Sequence, residues 1–301
     1  MPAGNKISTF FQLIGRSYAE IKRNDPLRMA AATAFFTTFA LPPILIILFR
    51  VFSLFLDQKM VGTELARLLS DTLGNEVSSQ IRQTARGFRN VVKHWYTAIP
   101  GFLFLLFIAT TLFTVIKNTI NDIWNIKVKD QRGFLLSLRF RGKSIMIILA
   151  TGILFLTGIF LDGFEILAGK NIEKIWPGGG GFFKGALNEI VGVIIVTTWF
   201  IVLFRFLADA RPAWKTTIIG GLLTGLLFSV GKTLLSFLMK NSNIGSIYGA
   251  SASFVLILLF VFYSSFILYF GACFIKVYSE ATGKLVEPLP QAYRFRLEEV
   301  I

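Results

Sequence analysis

Six long apolar stretches, almost free of charge, limit what this chain can fold into. Five of them approach or exceed the roughly 20 residues that a helix needs to cross a bilayer core, and the fourth does so if Arg205 lies at the water interface. A soluble domain of 301 residues could not bury this surface in one core, because hydrophobic residues are 54% of the chain. The sequence therefore predicts an all-α, polytopic membrane protein with six transmembrane helices. The stretches are Ala30–Phe49, Ala98–Ile116, Ser144–Leu161, Ile190–Phe204, Thr216–Met239 and Ile247–Ile275.

The segments around these stretches indicate the domain organisation. Residues 1–28 are predicted to form an amphipathic helix in the cytoplasmic interface, because apolar residues recur there at helical spacing. Residues 29–278 form the six-helix membrane domain, in which residues 57–97 are an external loop with short amphipathic helices. Residues 279–301 form a cytoplasmic tail. The apolar positions of the first helix are Ile7, Phe10, Phe11, Ile14, Tyr18 and Ile21.

Positive charge predicts the orientation of the chain. It carries 31 Lys and Arg against 17 Asp and Glu, and the cations flank the apolar stretches. With six spans, most of these cations fall on the side of both termini, which the positive-inside rule assigns to the cytoplasm. The same placement favours anionic head groups of membrane lipids as partners, and not nucleic acid. The single cysteine, Cys273, excludes a disulfide framework.

Two cations lie at or near membrane depth, where every ionisable residue is a functional candidate because charge is costly there. Lys232 is inside the fifth stretch, and its side chain either snorkels to the interface or has a buried role. Arg50 follows the first stretch, so it is inside the membrane if that helix continues and an end anchor if it stops. Both lie towards the outer side, where they could share one anion.

The centre of the first stretch contains Pro42 and Pro43. Two prolines remove two backbone donors, so the helix is expected to kink or unwind there, and carbonyl groups near Thr38 need other partners. A broken helix at the midplane is typical of transporter substrate sites, and a static packing kink is the alternative. Tyr248 and Tyr263 of the sixth stretch either line a path with their hydroxyls or anchor the interface.

The first external loop has four cations spaced along one helical face, here called the external basic face. The face either rests on the outer leaflet or forms an electropositive entrance for an anionic substrate. Its residues are Arg82, Arg86, Arg89 and Lys93.

The fifth stretch also has a row of small residues, Gly221, Gly225 and Ser229. Such a row predicts close helix packing, and it permits contacts within one chain or in a homo-oligomer. No strand-like segment is apparent, so the glycines at 178–181 are interpreted as a flexible turn and not as a phosphate-binding loop.

Several segments follow one another in an informative order. Ala31–Pro43 is an opening helix with an aromatic pair and a central proline, and Asn121–Trp124 follows the second stretch. The C-terminal half continues with Gly220, Gly221, Lys232, Ile247–Ala250, Tyr263, Gly271 and Ala272. Together they resemble the YihY/BrkB-like family, once described as ribonuclease BN. This resemblance implies a bacterial inner-membrane protein with a transport-like role. The family commonly has an acid after the last Gly-Ala, where this chain has Cys273.

Hydrolytic chemistry is not expected. A metal-dependent nuclease needs clustered His, Asp or Glu ligands, and the chain has one histidine, His94. We expect neither a metal nor another cofactor. A lipid-modifying enzyme would need organised carboxylates, but no motif organises those near the span ends: Asp122, Asp162, Glu165, Glu189 and Asp209. The leading hypothesis is a transporter, channel or flippase for an anionic solute or lipid, and the alternative is a non-transporting scaffold for envelope organisation.

Overall fold

The computed structural model describes residues 6–52, 95–129, 146, 150, 153–154, 179–241 and 252–296. Within these residues the chain forms six helices: α1 Lys6–Arg23, α2 Pro26–Phe52, α3 Trp95–Ile123, α4 Gly179–Val202, α5 Trp214–Asn241 and α6 Ala252–Ala281. A π-helical turn, Leu203–Leu207, follows α4 directly. Four short strands complete the described part: β1 Ile126–Val128, β2 Ala210–Arg211, β3 Glu287–Pro288 and β4 Ala292–Arg294.

Hydropathy predicts most of this helical architecture correctly. Three helical segments of the described residues are long and apolar enough to cross a membrane: Glu189–Leu207, Trp214–Leu235 and Phe254–Ala281. α2 and α3 contain the first and second predicted stretches. The third stretch and most of the external loop lie outside the described residues. The all-α membrane fold is therefore confirmed, and the count of six spans stays a prediction.

Glycines let α5 pack tightly against its neighbours. A Cβ atom at Gly225 would lie 2.2 Å from the Thr197 hydroxyl oxygen on α4, and one at Gly220 would lie 2.3 Å from Ile275 on α6. Gly221 makes a comparable approach to Ile201 on α4. The two glycines of the predicted row of small residues thus pack against another helix of the same chain.

The main hydrophobic core lies where α3, the π-helical turn and α6 meet. Its largest fully buried side chains include Trp124, Phe200, Phe204 and Tyr269. These residues lie towards one end of the helical bundle. The segments that cover this end are residues 124–129, 208–213 and 282–296, here called the loop end.

Two short antiparallel sheets join these segments, so the expectation that the chain has no strands is wrong. Ile126 pairs with Arg294 in the β1–β4 sheet, and Ala210 pairs with Pro288 in the β2–β3 sheet. Strands of two or three residues have too little alternation for a sequence pattern to reveal them. The predicted tail is therefore folded back onto the loop end at residues 287–294.

The N-terminal amphipathic helix is present as α1, and it packs against α6. Phe10 contacts Phe274 edge to face, while Glu20 reaches Lys276. The apolar stripe predicted for this helix is only partly buried, because Ile21 is buried whereas Phe11 and Tyr18 are 66% and 61% exposed.

The first predicted span departs from expectation at its prolines. α2 is helical from Pro26 to Phe52, so the helix does not unwind at Pro42 and Pro43, and that part of the prediction is wrong. A kink within a continuous helix, the other outcome considered, agrees with this assignment.

Candidate functional site

The π-helical turn leads the chain from α4 to a buried carboxylate. Such turns are rare, and they are frequent at functional sites. Leu203, Phe204 and Leu207 of the turn are buried in the main core, which holds its backbone in place. Asp209 follows two residues later and is 0% exposed. The turn therefore delivers a charged side chain into the protein interior at the loop end.

Asp209 is the centre of a polar group that we call the carboxylate cluster, together with Lys117 and Asn121 of α3. Lys117 and Asn121 are four residues apart and therefore share one face of the helix. The Lys117 Nζ lies 3.4 Å from Asp209 Oδ2, with the two side chains 10% and 0% exposed. Asn121 Nδ2 donates to the same oxygen at 2.9 Å, and the Asp209 N–H donates in return to Asn121 Oδ1 at 2.9 Å.

The carboxylate cluster also includes the C-terminal segment. The Leu289 N–H donates to the Asp209 carbonyl at 2.9 Å, beside the β2–β3 sheet. Three segments that are distant in sequence thus meet at one residue. Removing one partner of a buried ion pair is strongly destabilising, so this arrangement favours a single, closed conformation of the loop end. Among the described residues, no three His, Cys, Asp or Glu side chains are grouped as a metal site requires.

A second buried ion pair joins α1 to α6, and we call it the docking pair. The Lys276 Nζ lies 2.7 Å from Glu20 Oε1, with the side chains 10% and 20% exposed. It also lies 3.5 Å from Asn125 Oδ1. Asn125 has a φ of 56°, a left-handed conformation that commonly ends helices, and it follows α3. The docking pair therefore brings α1, α6 and the end of α3 together.

The Asn121–Trp124 segment noted in the sequence has a clear role in this arrangement. Asn121 contacts Asp209 through both ends of its amide, as described above. Trp124 Nε1 donates to the Ala272 carbonyl of α6 at 2.9 Å. The segment thus positions the end of α3 against two other parts of the fold.

A hydroxyl group joins three helices inside the bundle. Tyr269 of α6 is fully buried, and its hydroxyl forms a hydrogen bond with Thr33 of α2. Thr119 of α3 also interacts with this hydroxyl. Polar groups at membrane depth need such partners, since lipid offers none.

Lys232 lies on α5, and helical spacing places it on the same side as the two glycines that approach α4. It follows Gly221 by eleven residues and Gly225 by seven, spacings that return to the same side of a helix. Its side chain is partly buried. It follows Trp214, the first residue of α5, by eighteen residues, about 27 Å along the helix, so it lies far from the loop end.

Tyr263 of α6 contacts α5 at Gly231, the residue before Lys232. Its ring covers Gly231, where an added Cβ would lie 1.8 Å from the ring carbon that bears the hydroxyl. The Tyr263 hydroxyl donates to the Leu227 carbonyl at 2.8 Å. Thr38 lies on α2 and donates to the Ala34 carbonyl of its own helix at 2.8 Å.

The remaining predicted site residues are not available for comparison. Arg50 lies within α2, which continues past it to Phe52, but its side chain is outside the described residues. Tyr248 and the external basic face, Arg82, Arg86, Arg89 and Lys93, are outside them as well. A shared anion site of Arg50 and Lys232 therefore stays a prediction.

Sequence reasoning missed the carboxylate cluster. The sequence places Asp209 among several carboxylates near span ends, and it gives Lys117 no distinguishing feature. Asn121 was the strongest signal, because it lies in a segment that carries the family resemblance. Its partner is 88 residues away along the chain, a separation that no local pattern reveals.

Comparison with known proteins supports the resemblance. Residues 17–295 match the family described as virulence factor BrkB. A UPF0761 membrane protein of Saccharophagus degradans is 25% identical over 269 residues, which is 89% of this chain and 60% of that protein. One from Teredinibacter turnerae is 27% identical over 265 residues, 87% of this chain and 59% of that protein. One from Mannheimia succiniciproducens is 25% identical over 264 residues, 85% of each chain.

The chain thus spans about three fifths of the length of the first two relatives. No solved structure is significantly similar to it.

Proposed function

Since the chain belongs to the virulence factor BrkB family, it is an integral membrane protein, and we propose that it moves an anionic solute or lipid across the membrane as a transporter, channel or flippase. The observation that carries this proposal is the position of Lys232. A partly buried cation within an apolar span has a desolvation cost that an anionic substrate would offset.

The loop end has a complementary place in the proposal. The carboxylate cluster and the two small sheets hold this end closed, while Lys232 lies towards the opposite end of α5. Alternating access requires one closed end and one that admits the substrate. If the protein transports by alternating access, the described arrangement is the state closed at the loop end.

We also propose that the protein lies in the bacterial inner membrane with the loop end in the cytoplasm. The support is the charge of the three connecting segments, which the structure gathers at one end of the bundle. Most of their exposed charged residues are cations, including Lys127, Lys129, Arg211 and Lys284. The positive-inside rule assigns such an end to the cytoplasm.

A non-transporting scaffold is the second candidate, and two hydrogen bonds favour it. The hydroxyls of Thr38 and Tyr263, expected along a path, are both used within the protein. Lys232 is also close enough to the end of its span for the ammonium group to snorkel to the interface.

Anion flux into sealed liposomes separates these functions. The full chain is reconstituted, and chloride and anionic-lipid movement are measured for the unsubstituted protein, Lys232→Ala and Lys232→Arg. A charge-assisted contact is worth about 1.5–3 kcal/mol, so Lys232→Ala should weaken anion binding roughly tenfold or more, while Lys232→Arg should retain much of the flux.

Lys284→Ala is the matched control, because it removes an exposed lysine at the loop end. Equal flux for Lys232→Ala and Lys284→Ala would rule out the proposed role of Lys232. Absence of both chloride and lipid movement from correctly folded protein would favour the scaffold.

A further inference from the structure

The corner between α4 and α5 contains three cations and two exposed aromatic rings. Arg205 belongs to the π-helical turn, Arg211 to β2 and Lys215 to the first turn of α5. Arg211 and Lys215 are exposed, and Arg205 is partly buried. Phe206 and Trp214 are 48% and 53% exposed. We call these five residues the corner.

The Arg205 guanidinium lies over the ring of Trp214. Its central carbon lies 4.7 Å from the indole ring centroid, a cation–π arrangement. One nitrogen donates to the Pro212 carbonyl, which fixes the rotation of the group. Phe206 contacts the same indole edge to face, with ring centroids 6.2 Å apart. A guanidinium has five N–H donors in its plane, so a stacked one still presents a donor edge to a bidentate acceptor such as phosphate.

The charge at the corner is not balanced by carboxylates. Glu287 is opposite Arg211 in the β2–β3 sheet, and its charge and that of Arg211 both act on Arg205. The first turn of α5 contains no acidic residue. A helix N-terminus is itself partly positive, so Lys215 there is unfavourable without an anion. In the described part of the corner, one carboxylate thus opposes three cations and a helix N-terminus.

The position of the corner at the membrane boundary indicates which kind of anion would bind there. Arg205 lies near the end of the apolar segment Glu189–Leu207, and Trp214 begins the segment Trp214–Leu235. Exposed Trp and Phe at such a boundary lie at the level of the lipid glycerol and head groups. An anion bound at this level, beside exposed aromatic rings, is part of a lipid.

We propose that the corner binds the phosphate group of an anionic phospholipid. The Arg205 donor edge contacts the phosphate, Arg211 and Lys215 supply further positive charge, and Phe206 and Trp214 contact the glycerol and upper acyl region. Glu287 limits the affinity. The site lies at the opposite end of α5 from Lys232, so its variants leave Lys232 unchanged.

Retention of lipid by the purified full chain tests this site. The protein is reconstituted with phosphatidylglycerol or phosphatidylcholine, re-extracted into mild detergent and analysed by native mass spectrometry. Unsubstituted protein should retain phosphatidylglycerol in preference to phosphatidylcholine. The Arg211→Gln/Lys215→Gln double variant changes two exposed residues and should lose this preference. Arg205→Lys keeps the charge but not the planar stack, and should reduce it.

Two further variants make the test specific. Lys129→Gln/Lys284→Gln removes two exposed lysines elsewhere at the loop end and should leave the preference unchanged. Glu287→Gln removes the opposing carboxylate and should increase phosphatidylglycerol retention. An equal loss of the phosphatidylglycerol preference in the Lys129/Lys284 control would show that surface charge in general retains the lipid, which would overturn the site. Unchanged retention in Glu287→Gln would contradict the proposal that Glu287 limits the affinity. Displacement of the lipid by inorganic phosphate alone would identify a simple phosphate site and overturn the lipid assignment.

Discussion

At the residue scale, Asp209 shows how a polar side chain is accommodated in an apolar interior. Its Oδ2 accepts a hydrogen bond from the Asn121 amide and forms an ion pair with the Lys117 ammonium. Its backbone N–H and carbonyl also form hydrogen bonds. Burial makes each contact stronger and the loss of any one more costly. The carboxylate cluster is therefore a place where a single substitution should have a large effect.

We expect Asp209→Asn to lower the free energy of unfolding by about 3–5 kcal/mol, because it leaves Lys117 buried without this carboxylate. Adding Lys117→Met removes the cation as well. The Asp209→Asn/Lys117→Met double variant should therefore lose less free energy of unfolding than the two single variants together, by about 1–3 kcal/mol. Denaturant unfolding of the purified protein in detergent measures each value. Strictly additive losses would mean that the two charges do not stabilise each other.

Asn125 allows a second prediction at this scale. Its φ of 56° is left-handed, which costs an ordinary residue about 1–2 kcal/mol but costs glycine almost nothing. Asn125→Ala and Asn125→Gly both remove the amide near Lys276. Only the alanine variant must also adopt the strained backbone, so it should be the less stable by about 1 kcal/mol in thermal unfolding. Equal stabilities would indicate that α3 ends differently.

At the element scale, the packing of α5 depends on the absence of side chains. Gly225→Ala should be destabilising, since the new methyl group would lie 2.2 Å from the Thr197 hydroxyl oxygen and 3.0 Å from the Thr197 Cα. Gly192→Ala on α4 is the matched control, because nothing lies within 4 Å of its Cβ position. That variant should gain up to about 1 kcal/mol from helix propensity. Melting curves of both variants in detergent test the contrast, and similar shifts would contradict the close approach of α4 and α5.

The attachment of α1 can be tested separately through the docking pair. Glu20→Lys places two cations together and should release α1, which limited trypsin digestion would detect as faster cleavage. Ala19→Lys adds a trypsin site at an exposed neighbouring position without breaking the ion pair. Its cleavage rate therefore measures the effect of the added lysine alone, and Glu20→Lys should be cleaved faster. The Glu20→Lys/Lys276→Glu double variant should restore protection. If it does not, the ion pair is not what holds α1.

At the scale of the whole molecule, the three connecting segments of the loop end should lie on the same side of the membrane. Because β1 pairs with β4 and β2 with β3, single cysteines at Lys129, Arg211 and Lys284 must all lie on one side of the membrane. We expect a membrane-impermeant maleimide to label them in inverted vesicles and not in intact spheroplasts. The unsubstituted chain is the blank, because Cys273 is buried. Labelling of the three from intact cells would reverse the proposed orientation.

Hydropathy predicted the helices because lipid must solvate long apolar segments wherever they occur. It also placed Lys232 at membrane depth, and helical spacing identified α1. The carboxylate cluster, the docking pair and both small sheets were not predicted, since each depends on residues that are close only after folding. Glu20 and Lys276, for example, are 256 residues apart. The unwinding expected at Pro42 and Pro43 does not occur, because proline lowers the stability of a membrane helix without preventing it from continuing.

The small sheets have a consequence for the order in which the protein is made. β1 and β2 leave the ribosome well before β3 and β4, which follow all six described helices. During synthesis the two earlier strands have no partners, and the Asp209 carbonyl has no Leu289 donor. Membrane insertion of α3, α4 and α5 therefore precedes closure of the loop end. A nascent chain halted before residue 287 would be inserted but open at one end, and would be a natural substrate for membrane quality control.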